Sequence, residues 1–196
     1  MSPTQAMERS YAALKQLLRD GAFAAGHRLE ANRIAEEVGV SMTPVRDALN
    51  RLAGERLVEA SSGEGFHVPR LGEGDLRDLY EWNSILAILA IRSARTLPAP
   101  SAIEEVMAGG SLPEATAAIF GLLGESVPNR ELRLAIAHAS DRLHPFRLVE
   151  PIVLEPILGE LEELIEPSAS RQAAIRRYHL IRMRAVGELL RERSRL

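Results

Sequence analysis

Residues 39 to 49, GVSMTPVRDAL, carry the densest set of groups in this chain that could hold a charged partner. Ser41 and Thr43 have hydroxyls suited to the start of a helix, and Pro44 fits a first turn because its missing N–H costs little there. The free N–H groups and positive dipole end of such a turn attract oxyanions. Arg46 stands one turn further in, where a guanidinium can donate two hydrogen bonds to a phosphate or to the edge of a guanine. This is chemistry of recognition. An enzyme is not expected, because the chain shows no cysteine, no glycine-rich phosphate loop and no nucleophile–base pattern.

The apolar residues around that stretch define the helix that presents it. Val45, Ala48, Leu49 and Leu52 recur at helical spacing and form a buried face, which leaves Met42, Thr43, Arg46 and Asn50 on the solvent side. Two helices are expected before it. Met7, Tyr11, Leu14 and Leu18 form one stripe within residues 4 to 20, and Leu29 to Val38 form a second, shorter helix that Gly39 ends. After it, residues 57 to 60 and 66 to 68 read as two strands joined by SSGEG, a hairpin with Ser62 and Gly63 at its tip. Three helices followed by a hairpin make a winged helix-turn-helix, expected over residues 1 to 68.

A linker is expected at residues 69 to 74, and beyond it the texture is helical throughout. Leu76, Leu79, Trp82, Leu86, Leu89 and Ala90 suggest a long helix from Asp75 to about Thr96. Shorter helices are expected near residues 101 to 108, 113 to 123 and 130 to 142, with a break at Pro145. Two longer ones follow at about 147 to 165, kinked or split by Pro151 and Pro156, and 170 to 193. The fold class is therefore mainly α, with residues 75 to 196 an all-α bundle of about six helices.

Composition limits the partners. The 196 residues, 46% of them hydrophobic, suffice for one large domain or two small ones, and the absence of cysteine excludes disulfides and thiolate metal sites. Net charge is -3, against a generally basic, nucleic-acid-coating protein, and residues 1 to 70 balance nine basic against nine acidic side chains. Any nucleic-acid contact must come from local placement. Of the 24 basic residues only Lys15 is a lysine, so nearly every cation is a planar guanidinium. No leader-like segment and no membrane-length apolar run is present, and the expected location is the cytoplasm.

The run LEANRIAEEVGVSMTPVRDALNRLAGERLVEASSGEGFHV resembles the winged-helix domain of the GntR family of bacterial transcription regulators, and the spacing GVS-x-TPVR-x-AL carries the resemblance. It implies a homodimer that binds double-stranded DNA with Ser41, Thr43 and Arg46, with Asn50 as either a base contact or a solvated residue, and with Ser62 and Gly63 near the minor groove. Two positions depart from the pattern. Met42 and Asn32 stand where the family has DNA-contacting arginines, so affinity should be lower and its salt dependence shallower by about one ion per lost contact. Arg33 offers a cation from the neighbouring position, rotated about 100° around the helix. Met42 could meet a thymine methyl instead, or simply shield the helix start. Arg56 replaces the family glycine before Leu57 and Val58 and puts the turn there in question.

Residues 75 to 196 are similar to the effector domain of the FadR-type subgroup, in its short VanR-like form, through DLRDLYEWNSILAILAIRSA and IFGLLGESVPNREL. That resemblance implies a bundle that many members use to hold a divalent metal and a carboxylate effector. Here the D-x-x-F-H motif falls on Ala117 to Gly121 with only Phe120 kept, the middle histidine falls near Ile157, and His179 alone matches. One imidazole cannot hold a metal, so neither a metal nor another cofactor is expected. His138 and His144 are expected at the surface or at helix ends. A carboxylate-type small-molecule effector would rest on Trp82, Asn83, Phe120, Tyr178 and His179, although plain core packing is the leading reading for each. The arginines of the last helix read as a solvated face paired with Glu160, Glu162, Glu163 and Glu166, or as a nucleic-acid patch. The expectation is a ligand-responsive, DNA-binding repressor, the alternative being a constitutive DNA-binding or protein-interaction scaffold with a degenerate pocket.

Overall fold

The computed structural model of the chain describes residues 2–61, 63–94, 96, 98–108, 110–155, 159–164 and 170–195. They form two compact units, residues 1–71 and 72–195.

In the first unit α1 (Pro3–Arg19) opens on a capping box, in which the Ser2 hydroxyl accepts from the Gln5 N–H at 3.3 Å and the Gln5 amide oxygen accepts from the Ser2 N–H at 3.0 Å. β1 (Arg28–Leu29) precedes α2 (Ala31–Val38), which ends where Gly39 turns left-handed at φ 72. The Gly39 and Val40 N–H groups both donate to the Ala35 carbonyl, closing the turn into α3 (Met42–Gly54). Val45, Ala48, Leu49 and Leu52 are each 0% exposed and meet Leu14, Leu18, Leu29 and Ile34 in one core. Truncating Leu49 or Leu52 to alanine would cost about 2 to 5 kcal/mol.

The wing is a three-stranded antiparallel sheet in the order β1-β3-β2, with β2 at Glu59–Ser61 and β3 at Gly65–His67. Two expectations change here. Leu29 is not in the second helix; it pairs with Phe66 in the sheet, and Glu30 caps α2 in an extended conformation. Leu57 and Val58 precede the hairpin strand and are buried in the core. Arg56 before them is left-handed at φ 59, the region glycine enters most readily. Behind this turn Glu55 is buried, accepting from the Tyr11 hydroxyl at 2.8 Å and the Lys15 ammonium at 3.1 Å, while the Arg51 guanidinium stacks 3.8 Å over the Tyr11 ring. These contacts clamp α1 to α3.

In the second unit α4 (Glu73–Ser93) begins within the segment read as a linker, because Asp75 accepts from the Gly72 N–H at 2.8 Å and fixes the first turn. α5 (Pro100–Ala108), α6 (Leu112–Glu125) and α7 (Arg130–Arg147) follow. α7 does not break at Pro145, which lies in its last turn. The segment from 147 to 165, expected to be kinked or split, is split into α8 (Glu150–Val153) and α9 (Glu160–Glu163), whereas the last expected helix divides at Ala185 into α10 (Arg171–Arg184) and α11 (Val186–Arg193). The described residues thus hold eight helical segments here where about six were expected. α4 is the spine, packed against α6, α7, α10 and α11.

Candidate nucleic-acid interface

The start of α3 is solvent-facing. Ser41 is its N-cap residue, yet its hydroxyl makes no capping bond, and Ser41, Met42, Thr43, Arg46 and Asn50 are all exposed. The first N–H groups of the helix therefore point outward with polar side chains around them, the arrangement that takes up a phosphate. Arg46 forms no ion pair with Asp47 or Asp20, nor with any other carboxylate among the described residues.

Beside this helix start lies a groove with a cavity volume of about 590 Å³. Asn32 lines it from α2, Met42 and Arg46 from α3, and Arg28 and Phe66 from the wing sheet, with Glu30 as its carboxylate. The sheet register places Arg28 opposite His67, so its side chain projects on the face away from Leu29 and the core. Arg33 is exposed on α2 but does not line the groove. Gly63 lies at the wing tip with φ 82; Ser62 lies outside the described residues.

The groove's second guanidinium, Arg28, is absent from the sequence-derived set. A two-residue strand leaves no periodicity to detect, and reading Leu29 as helical hid its outward-facing neighbour. Thus the groove holds Asn32 and Met42 where the family pattern has arginines, and holds Arg28 from the wing sheet.

In the second unit four of the five residues expected at an effector site come together. Phe120, Tyr178 and His179 pack ring against ring, with centroids 4.9 to 5.9 Å apart, and Nε2 of His179 lies 2.9 Å from the Asn83 side chain. Trp82 does not join them. It is 47% exposed, because the inward stripe of α4 runs through Leu79, Asn83, Leu86 and Ala90, and residue 82 lies about 100° away from Asn83.

His179 is neutral: burial lowers its pKa to about 3, Arg147 and Arg182 add to the shift, and only the bond to Ile175 opposes it. Its single proton must sit on Nδ1, which donates to the Ile175 carbonyl at 2.7 Å. Nε2 can then only accept, so Asn83 must turn its amide NH₂ toward it.

This arrangement does not suit a metal. Both nitrogens of His179 are engaged, Ala117 and Gly121 have no donor atoms, and no group of three or more potential metal ligands occurs among the described residues. Ile157 lies outside the described residues.

Two buried arginines flank the rings in different ways. Arg182 is satisfied: Nε donates to Glu150 at 2.9 Å, Nη1 and Nη2 donate to Glu160 at 2.9 Å each, and the guanidinium lies 3.4 Å from the Tyr178 ring centre. Glu150 also accepts from the Tyr80 hydroxyl at 2.9 Å. Arg147 has only Ser140 as a hydrogen-bond partner among the described residues, donating from Nη1 to its hydroxyl at 2.8 Å and its carbonyl at 3.3 Å. Arg171 and Arg182 are buried, against the expected solvated face, while the expected pairing with glutamates holds for Arg182 with Glu160 and for Arg177 with Glu163. His144 lies in the last turn of α7, at a helix end as expected, and is buried there.

Comparison with known proteins agrees with the first unit's architecture. Residues 6–68 match the family described as bacterial regulatory proteins, gntR family. The HTH-type transcriptional regulator McbR of Escherichia coli (strain K12) is 31% identical over 173 residues, covering 86% of this chain and 76% of that protein. The uncharacterized HTH-type transcriptional regulator YdhC of Bacillus subtilis (strain 168) is 25% identical over 200 residues, covering 91% of this chain and 88% of that one. Among solved structures, a GntR-type regulator from Rhodococcus sp. RHA1 superposes with a TM-score of 0.64 at 16% identity, over 95% of this chain and 96% of that one, a likeness of fold.

Proposed function

The chain belongs to the GntR family of bacterial regulatory proteins and is a transcriptional regulator; from that premise we propose that it is a homodimeric repressor that reads a palindromic operator and responds to a small ligand. The observation that carries the DNA-reading part is Arg46: exposed, free of ion pairing among the described residues, and set one turn inside α3 on the groove that Arg28 and Met42 share. A helix entering the major groove by its N-terminal end would bring Ser41 and Thr43 to the phosphates and Arg46 and Met42 to the base edges.

The dimer is supported by α4. Trp82, Ile85 and Leu89 are 47%, 50% and 45% exposed and fall on one stripe, an apolar surface that a second copy would cover. A dimer seated on a promoter acts in the cytoplasm, excludes competing proteins, and is released by a ligand that binds the other dimer arrangement better. Selection from random double-stranded DNA tests this reading. It should enrich an inverted repeat with half-sites about one helical turn apart; enrichment of nothing, or of a single unrepeated site, would contradict it.

A further inference from the structure

Met42 opens α3 with an apolar side chain that the core does not take up. It is 47% exposed, while Pro44 and Val45 in the same turn are buried. It lines the groove with Phe66 of the wing sheet and with Arg46, which lies four residues on and therefore one turn deeper on the same helix face. Neither Ser41 nor Thr43 beside it carries a charge. The surface offered to a partner here is thus a thioether next to a guanidinium.

Of the four bases, thymine alone has a major-groove edge that suits a thioether. Guanine shows two acceptors, adenine an acceptor and a donor, and cytosine a donor. An apolar side chain pressed against any of these leaves a polar group stripped of water and unpaired. Thymine shows one acceptor and a C5 methyl, and the unbranched, polarisable methionine chain can close over that methyl. Spacing limits where the thymine lies. Residues 42 and 46 are about 6 Å apart along the helix axis and stacked base pairs about 3.4 Å apart, so the two side chains address pairs no more than about two steps from one another. We propose that Met42 selects a thymine in each half-site, within about two base pairs of the one that Arg46 contacts, by covering its C5 methyl. The proposal deepens the DNA-reading function above and rests on it, since Met42 has no base to read unless α3 enters the major groove.

The test is equilibrium binding of the full chain to the operator duplex selected from random DNA, with each thymine in turn replaced by deoxyuridine in both half-sites. Uracil keeps every hydrogen-bonding group of thymine and lacks only the methyl. At one position the replacement should weaken binding by about fourfold per half-site, the value of burying one methyl-sized group. Met42→Ala should bind the thymine and uracil duplexes equally at that position, and Met42→Leu should keep most of the difference. Selection repeated with Met42→Arg should exchange that thymine for guanine. Residue 42 is outside the core, so all three variants should melt as the parent does. An inverted repeat in which no uracil replacement weakens binding, an effect that persists in Met42→Ala, or the same thymine still selected by Met42→Arg would overturn the proposal and leave the operator reading standing. Failure to enrich any inverted repeat would overturn both.

Discussion

Nε2 of His179 lies 2.9 Å from the Asn83 side chain, a contact between α10 and α4 in the middle of the second unit, made by a ring that burial keeps neutral. The folded protein therefore resists a proton that the unfolded chain takes up below about pH 6.5. Stability is fully present above that value and is lost as pH falls from 6.5 toward 3, by up to about 1.4 kcal/mol per pH unit. Urea denaturation at pH 7.5 and 5 should show the advantage of the parent over His179→Gln shrinking at the lower pH. A difference that stays constant would place the charged imidazole in the folded state.

Arg56 sits at φ 59, where a side chain crowds the backbone. Arg56→Gly relieves that strain and matches the glycine of the family pattern, though it also loosens the unfolded chain. A net gain of roughly 0.5 to 1 kcal/mol in chemical denaturation is expected. A loss would mean that the arginine makes a compensating contact.

Arg28 and Arg46 line one groove from different elements. If Arg28 neutralises a phosphate, Arg28→Ala should weaken binding on all sequences about equally and lower the salt slope by about one. Met42→Arg, which restores the family residue, should steepen that slope by a similar amount. Titration of a selected operator over a range of salt concentrations reads both; parallel slopes for the parent and Arg28→Ala would remove Arg28 from the interface.

Trp82 and Ile85 are exposed three residues apart on α4. Placing a glutamate at each, Trp82→Glu with Ile85→Glu, should convert a dimer to a monomer in sedimentation without loss of helical content, because neither residue supports the monomer's core. An unchanged dimer mass would move the interface to another face.

The spacing GVS-x-TPVR-x-AL carried both the helix and its exposed residues because a 3.6-residue period sorts positions by burial: Val45, Ala48 and Leu49 face inward, and Met42 and Arg46 outward. The same rule misled at α4, where Leu79–Leu86–Ala90 and Trp82–Ile85–Leu89 are both apolar stripes and only packing decides which is covered. Arg28 was hidden in a strand too short to show a period. Arg147 was hidden for a different reason: an arginine in a helix reads as surface, and its burial goes with tertiary contacts, to Ser140 on α7 and the Phe120 ring on α6, that no periodicity shows. The gathering of Asn83, Phe120, Tyr178 and His179 was legible through family resemblance; the neutral state of His179 came only from its partners.

The central claim is that this regulator reads DNA through the face of α3 that holds Arg46. Equilibrium binding of the parent and Arg46→Ala to a selected operator and to a scrambled duplex, at one salt concentration, tests it most directly. The account predicts a loss of about 1 to 3 kcal/mol on the operator and a smaller loss on the scrambled duplex. Equal affinities of parent and variant for the operator would contradict it.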